Sequence, residues 1–515
     1  MSKHALTALF LLALPLTCRA QLSAGGTPPS FDLDLRGTPP TVALPAVDHA
    51  ALLAEDAGAD KDQPFRFGAP QDLRLDLLGL GVCDTLADGT RLWRLRLSSP
   101  GAHSLNLLYD EFDLPPGARL FLYGDDRSQV LGAFTDFNHN PDGQFATQPL
   151  AGDALTLEYA EPADAAFPGR VGISRVVHAY RNVFGLAAER DYGDSGACNN
   201  NVACPEGDPW RTEIRSVVMI LTGGGFRICT GALVNNTAQD MRRYLLTANH
   251  CLGGETSWIF MFNYQSVGCS NQNGPTNHSV QGCVRRATLA DSDFALLELN
   301  NAIPASYQPV WAGWSAVDEA ATQGVCIHHP SGDIKKISFE NQALISDRYL
   351  GNSGVTGSHW KVADWDDGTT EGGSSGSPIF DQNHRVVGQL HGGYASCSSQ
   401  TSDWYGKFSM SWNRGSTAAT RLRDWLDPGN TGLLTLDALD PEAVPLPASA
   451  TLSYLPGTNR LQLDWTATLN TTSWRVEGAA AVGGPWTPLL EVTEPGVTLV
   501  ADTAPAFLRV ISIRQ

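Results

Sequence analysis

The chain has 515 residues, 42% of them hydrophobic, with 51 glycines, 31 prolines and a formal net charge of −19. That length exceeds one ordinary domain and predicts two to four. The acidic balance argues against a nucleic-acid partner, which needs basic patches to displace counterions, and short apolar runs among many glycines and prolines favour a mainly β protein.

At the N-terminus, Lys3 and His4 precede an apolar run over residues 5–16, and Cys18-Arg19-Ala20 supplies small residues at −3 and −1 of a cleavage site. This predicts a secretory signal peptide over residues 1–20 and a location outside the cytoplasm. The run is too short to span a membrane, and no later run is long and apolar enough. Residues 21–64, rich in proline, alanine and acidic side chains, read as an extended leader.

From about 65 to 184 the segments "TRLWRLRLSS", "HSLNLLYDEF", "ARLFLYGDD" and "DALTLEYAEP" alternate with period two, predicting a β-sandwich. A cysteine-rich core follows and ends in "AATRLRDWLDP", where Leu422, Trp425 and Leu426 share a helical face before Pro428. Beyond a proline-rich joint, residues 441–515 carry the strand-like runs "RLQLDWTA", "TSWRVEGAA", "TPLLEV" and "AFLRVISI" of a small β-sandwich module.

Eight of the ten cysteines, Cys198, Cys204, Cys229, Cys251, Cys269, Cys283, Cys326 and Cys397, lie in the core. An even number in an exported chain predicts a disulfide framework, whose pairing the sequence leaves open among 105 possibilities. No tight CxxC pair suggests zinc, and neither a metal nor a cofactor is expected.

Three core fragments carry candidate chemistry: "LLTANHC" with His250, "DSDFALLEL" with Asp293, and "GGSSGSPIF" with Ser375. Singly, each has a plainer explanation: a structural histidine, an acid capping a turn, a glycine-serine loop. In the order His, Asp, Ser they supply what acyl transfer needs. A neutral imidazole takes the proton of a poorly nucleophilic hydroxyl, and a carboxylate fixes the imidazole's tautomer. Glycines beside the serine let backbone N–H groups face a developing oxyanion.

These fragments make the core resemble chymotrypsin-fold serine endopeptidases. The runs "CPEGD", "CTGALVNNT", "SDFALLELNNA", "WAGW", "IHHP", "GGSSGSPI", "GQLHGG" and "DWLDP" make it resemble, more narrowly, the bacterial lysyl endopeptidases. The resemblance implies a chymotrypsin-like double β-barrel over residues 193–440, preceded by a pro-region over 21–192. It implies His250 as general base, Asp293 rather than Asp291 as its partner, and Ser375 as nucleophile. Backbone N–H groups of Gly373 and Ser375 form the implied oxyanion hole. The implied disulfides are Cys229–Cys251, Cys198–Cys397 and Cys204–Cys269; Cys283 and Cys326 remain and are expected to pair.

For specificity, the position six residues before the nucleophile is Thr369, so the usual trypsin pocket acid is absent. The resemblance places a pocket acid downstream instead, at Asp403 in "SDWYG", where a narrow carboxylate site would favour a lysine ammonium over a guanidinium. His391 is implied to shape the cleft, while Gly392 and Gly393 leave room for substrate backbone. The family's cleft tryptophan has no counterpart in residues 348–357, where Tyr349 stands. His328 and His329 read as structural. Ser374 is uncharged, so the usual salt-bridge switch of trypsin zymogens cannot operate and control falls to the N-terminal region. The mature chain would begin near Gly193, where no lysine precedes the junction.

The expected activity is hydrolysis of protein or peptide substrates after lysine, by a secreted monomer. Arginine or broader specificity, or a non-catalytic binding protein on a protease scaffold, are the alternatives. Asp403 opposes a glutamate-specific site, which would want cationic or histidine contacts, and the complete His-Asp-Ser set opposes a non-catalytic protein.

Overall fold

A computed structural model of the chain describes residues 23–183, 195–442 and most of 450–513. The signal-peptide expectation for residues 1–20 and the processing expectation at Gly193 lie outside the described residues. The chain divides into two compact units, one up to Ala438 and one from Leu439.

The first unit opens on a two-sheet sandwich. One sheet runs in the order Thr41–Ala43, Arg91–Ser98, Ala154–Glu161, Arg119–Tyr123, Val130–Phe134. The other is built on Ser104–Asp113, Arg170–Ala179 and Gly68–Asp76. Alternate residues of the period-two runs, among them Leu95, Leu97, Leu105, Leu107, Leu155 and Leu157, are buried between the sheets. Such layering lets each strand give one face to the core. Residues 21–64 are not simply extended. They contain the helix His49–Asp56, whose first turn is capped by Asp48 accepting from Ala51 N–H at 3.0 Å.

The cysteine-rich core forms two curled, mainly antiparallel sheets in a chymotrypsin-like arrangement. The first runs Ser279–Gln281, Ile259–Met261, Val217–Thr222, Arg227–Leu233, Tyr244–Ala248, Phe294–Leu299, Cys283–Leu289. The second includes Lys336–Glu340, Gly324–His328, Pro378–Phe380, Arg385–Gly393, Asp403–Lys407 and His359–Val362. Strands such as Val217–Thr222 and Tyr244–Ala248 are buried along their whole length, as closed sheets require. A short strand of the N-terminal region, Phe65–Arg66, pairs with Arg227–Leu233 and so joins the first sheet. The expected closing helix is short, Arg423–Leu426, with Leu422 and Leu426 fully buried.

Disulfides join Cys198 to Cys397, Cys204 to Cys269 and Cys229 to Cys251. The expected Cys283–Cys326 bond is not formed, and both thiols are free and buried. The reason is topological. Cys283 starts an edge strand of the first sheet, whereas Cys326 sits inside the second, beside Ser377 Oγ at 3.3 Å. Each is enclosed by its own sheet, and burial pushes the Cys326 thiol up to about 12.

The second unit is a pair of three-stranded sheets, Ala450–Leu455, Arg460–Trp465, Val497–Val500 and Thr487–Val492, Ser473–Ala479, Phe507–Ile513. Leu463, Trp465, Trp474, Val476 and Val510 form its core. Among the described residues no helix is long and apolar enough to cross a membrane.

Candidate active site

The strand Tyr244–Ala248 ends in a single helical turn, Asn249–Cys251, that carries His250. Three ties fix the turn. Cys251 is bonded to Cys229, Asn249 N–H donates to the Asp293 carbonyl at 2.7 Å, and Asn249 Oδ1 accepts from Thr288 Oγ1 at 2.6 Å. Asn249 thus ties the histidine turn to Thr288 on the strand Cys283–Leu289 and to Asp293 beyond the next turn.

Asp293 lies in the left-handed backbone region (φ 52°) between the turn Ala290–Ser292 and the strand Phe294–Leu299. Its Oδ1 accepts from the His250 backbone N–H at 2.9 Å and its Oδ2 lies 2.7 Å from His250 Nδ1. Burial pushes this carboxyl up, but the neighbouring His250 and His391 and the hydrogen bonds from His250 outweigh it, holding Asp293 below its ordinary value. Asp291, the competitor by sequence, instead pairs with Arg414 at 3.0 Å on the surface.

Ser375 is buried in the loop before Pro378–Phe380. Gly373 (φ 90°) and Gly376 (φ 81°) adopt backbone conformations open to glycine, and a Cβ at Gly376 would strike Thr247 and the Thr230 carbonyl. The loop is anchored by Thr230, whose N–H donates to the Ser375 carbonyl at 2.8 Å and whose Oγ1 donates to the Gly373 carbonyl at 2.9 Å. Ser374 is not free either, for its Oγ lies 2.7 Å from His328 Nδ1. Burial drives His328 well below its ordinary value, so it is a neutral hydrogen-bonding partner of the serine loop. His329 similarly faces the Asp333 carbonyl at 2.9 Å.

Ser375 Oγ donates to the carbonyl of Lys61 at 3.1 Å, while the buried His250 Nε2 has no hydrogen-bond partner among the described residues. The side chain of Lys61 reaches onward to Asp403. Its Nζ lies 3.0 Å from Asp403 Oδ1 and 2.8 Å from Thr370 Oγ1. Asp403 is fully buried, and its Oδ2 accepts from Trp365 Nε1 at 2.8 Å and Thr370 Oγ1 at 2.6 Å. Asp403 opens the strand that pairs with Arg385–Gly393, opposite Gly393. A Cβ at Gly393 would collide with Asp403 Oδ1, so glycine there makes room for the carboxylate. Thr369 is buried and receives Ser338 Oγ on its carbonyl, apart from this pocket.

Behind His250 stands an aromatic stack. His391 lies 5.6 Å from His250, and Tyr349 lies 3.6 Å from His391 with rings 7° from parallel. It is therefore His391 that stacks on His250, with Tyr349 stacked on the far side of His391. His391 Nε2 is 3.8 Å from Asp293 Oδ2, and its Nδ1 is 3.0 Å from His359 Nε2. Burial pushes His359 down to about 3, which keeps it neutral. The ligand atoms of His250, Asp293 and His391 gather within 4.8 Å. The 2.7 Å His250–Asp293 contact is a hydrogen-bond length, so the cluster reads as a bonded pair flanked by a second imidazole.

The structure brings together His250 and Asp293, and gathers Ser375, Asp403, His391, Gly392 and Gly393 about Lys61 and Asp62. Sequence reasoning missed Lys61, Thr370, Trp365 and His359. Lys61 gave no local signal because its contacts are with residues 309 to 342 positions away.

Residues 192–406 match the family model described as lysyl endopeptidase, C-terminal domain. A lysyl endopeptidase of Pseudomonas aeruginosa PAO1 is 29% identical over 367 residues, 65% of this chain and 76% of the relative. Among solved structures, HBP is 14% identical with a TM-score of 0.28, covering 43% of this chain and 93% of its own. Kallikrein-related peptidase 10 in complex with Zn2+ is 17% identical with a TM-score of 0.28, covering 38% of this chain and 91% of its own. On the family match over its core and the Pseudomonas relative, the chain is similar to lysyl endopeptidases and is a serine endopeptidase.

Proposed function

We propose that this protein is a secreted endopeptidase that hydrolyses peptide bonds on the carboxyl side of lysine. Ser375 is the nucleophile, His250 the general base and Asp293 the group that holds the imidazole. The observation that carries the lysine specificity is a lysine already seated in the pocket: Lys61 Nζ on the buried Asp403, its carbonyl on Ser375 Oγ.

In the reaction, His250 Nε2 takes the Ser375 hydroxyl proton as Oγ attacks the carbonyl carbon after lysine. Asp293 keeps Nδ1 protonated and stabilises the imidazolium that forms. The oxyanion is received by the backbone N–H groups of Gly373 and Ser375. His250 then returns the proton to the leaving amine, and water repeats the sequence on the acyl-enzyme.

Specificity follows from the donors around Asp403. Trp365 and Thr370 both donate to Oδ2, leaving Oδ1 for the substrate ammonium, while Thr370 Oγ1 accepts a second ammonium proton. This matches a compact ammonium with a small number of fixed acceptors; a planar guanidinium brings five donors in a rigid fork.

Residues 1–20 serve as signal peptide, 21–192 as a removable pro-region, 193–440 as the protease domain and 441–515 as a separate β-sandwich. Digestion of a peptide library by the processed enzyme, with sequencing of the cut ends, tests the reading. Cuts after lysine are expected, and dominant cuts elsewhere would refute the role of Asp403.

A further inference from the structure

We propose that the N-terminal region has a function of its own: it is a lysine-directed inhibitor of the protease site in the same chain, anchored by Lys61. The inference rests on the roles just given to Ser375 and Asp403, and adds to them the identity of the group that keeps the site silent.

Four observations carry it. First, Lys61 fills the pocket completely enough that its side chain is 15% exposed and that of Asp403 0%. No other lysine can enter while it is there. Second, the main chain at Lys61 is turned rather than extended, with Gln63 N–H donating to the Asp60 carbonyl at 3.2 Å. Ser375 Oγ–H donates a hydrogen bond to the Lys61 carbonyl, and His250 Nε2 has no partner among the described residues. The serine is thus occupied as a donor, while general-base catalysis needs its proton directed at the imidazole. The Lys61–Asp62 bond is presented for recognition and withheld from attack.

Third, the residue after the lysine covers the next part of the cleft. Asp62 shares a hydrogen bond with Tyr349, the ring stacked on His391. Its backbone N–H lies 3.3 Å from where a Cβ on Gly392 would stand, so any side chain there would press on it.

Fourth, both ends of the inserted loop are tied down. Upstream, Asp56 at the end of the helix His49–Asp56 accepts from Tyr180 at 2.5 Å, Arg181 at 3.0 Å and Arg66 at 2.9 Å. Downstream, Phe65–Arg66 pairs with Arg227–Leu233, and Arg227 donates to the Pro64 carbonyl at 3.0 Å. A loop ordered at both ends loses little entropy when it enters the pocket, which is how preorganised inhibitors gain affinity.

The test is the rate at which a fluorophosphonate labels Ser375 in the full-length chain, with intact mass confirming that the N-terminal region is attached. Wild type is expected to label slowly. Lys61→Ala is expected to label at least about 10-fold faster, the effect of one lost charge-assisted contact. Lys61→Gln, which keeps most of the stem and removes the charge, should fall between them and serves if the alanine variant folds poorly. Equal rates for wild type and both variants would overturn the proposal, and so would a wild-type chain that labels as fast as the processed enzyme. A wild-type chain found cut between Lys61 and Asp62 would make the loop a substrate rather than an inhibitor, which also overturns it. A processed enzyme that does not label at all would instead defeat the assignment of Ser375. A processed enzyme that labels but cuts mainly after other residues would defeat only the lysine specificity.

Discussion

Replacing Asp403 by asparagine isolates the charge in the pocket, because the two side chains have nearly the same shape. The structure dictates how the amide must sit. Trp365 Nε1 and Thr370 Oγ1 both donate to Oδ2, so the asparagine oxygen is drawn to that side. Its NH2 then takes the place of Oδ1, 3.0 Å from the lysine nitrogen, and donor faces donor. The pair is buried, with Asp403 at 0% exposure, so little water is available to screen or replace the lost contact. Removing one partner of such a pair costs about 3–5 kcal/mol. At 1.4 kcal/mol per tenfold, kcat/KM for lysyl substrates should fall by roughly 10^2 to 4 × 10^3. The assay compares lysyl, arginyl and neutral chromogenic esters on the processed variant. The loss should concentrate on the lysyl ester, while Ser375 still labels with a phosphonate and the neutral ester is cut at an unchanged rate. A fall of less than about tenfold, or an equal fall for all three esters, would refute the reasoning.

Four further outcomes are expected. Asp293→Asn should lower kcat by about 10^4 with KM little altered, by stabilising the wrong imidazole tautomer; a comparable rise in KM would point to cleft damage instead. Gly393→Ala should weaken lysyl binding by about 1–3 kcal/mol, the usual range for overpacking, because the new methyl collides with Asp403 Oδ1; an unchanged KM refutes it. Alkylation in denaturant without reductant should mark Cys83, Cys283 and Cys326 and none of the six bonded cysteines, as read by peptide mass spectrometry. Finally, burial lowers Lys335 from 10.5 to about 7, its ammonium resting on the Ile214 carbonyl. Between those values the unfolded chain binds a proton that the folded one does not, so this residue's contribution to stability rises with pH. Relative to Lys335→Met, wild type should gain up to about 1.4 kcal/mol per pH unit from pH 7 to 10, measured by denaturant unfolding; parallel pH curves for the two would refute it.

Much of the architecture was legible because it rests on local pattern. The period-two runs around Arg91–Ser98 and Ala154–Glu161 form strands, since alternation alone tells which face meets the core. His250 and Ser375 sit in short motifs whose neighbours also shape the loop. Asp403 needed the resemblance, for a lone acid in a serine-rich stretch looks like surface. What was illegible depends on convergence from afar. Thr370 and Trp365 become pocket residues only when their loop folds over the strand Asp403–Lys407, and Lys61 only when the N-terminal region docks. The cysteine count misled because parity treats thiols as neighbours, whereas Cys283 and Cys326 belong to different sheets. Residues 21–64 looked structureless because a helix of eight residues leaves a faint periodic trace.

The backbone at Asp293 has a consequence for anyone who mutates it. Its φ of 52° is a conformation that asparagine and aspartate accept far more readily than other non-glycine residues. The position therefore selects its occupant twice, by carboxylate chemistry and by main-chain geometry. An alanine there adds roughly 1–2 kcal/mol of local strain to the lost charge. That strain would tug on Asn249, whose N–H is held by the Asp293 carbonyl, and so on the turn that carries His250. Activity lost in the alanine variant mixes two causes, whereas asparagine changes one. The same arithmetic narrows the routes by which this position can drift: asparagine keeps the bend without the charge, and glutamate keeps the charge at the cost of the bend.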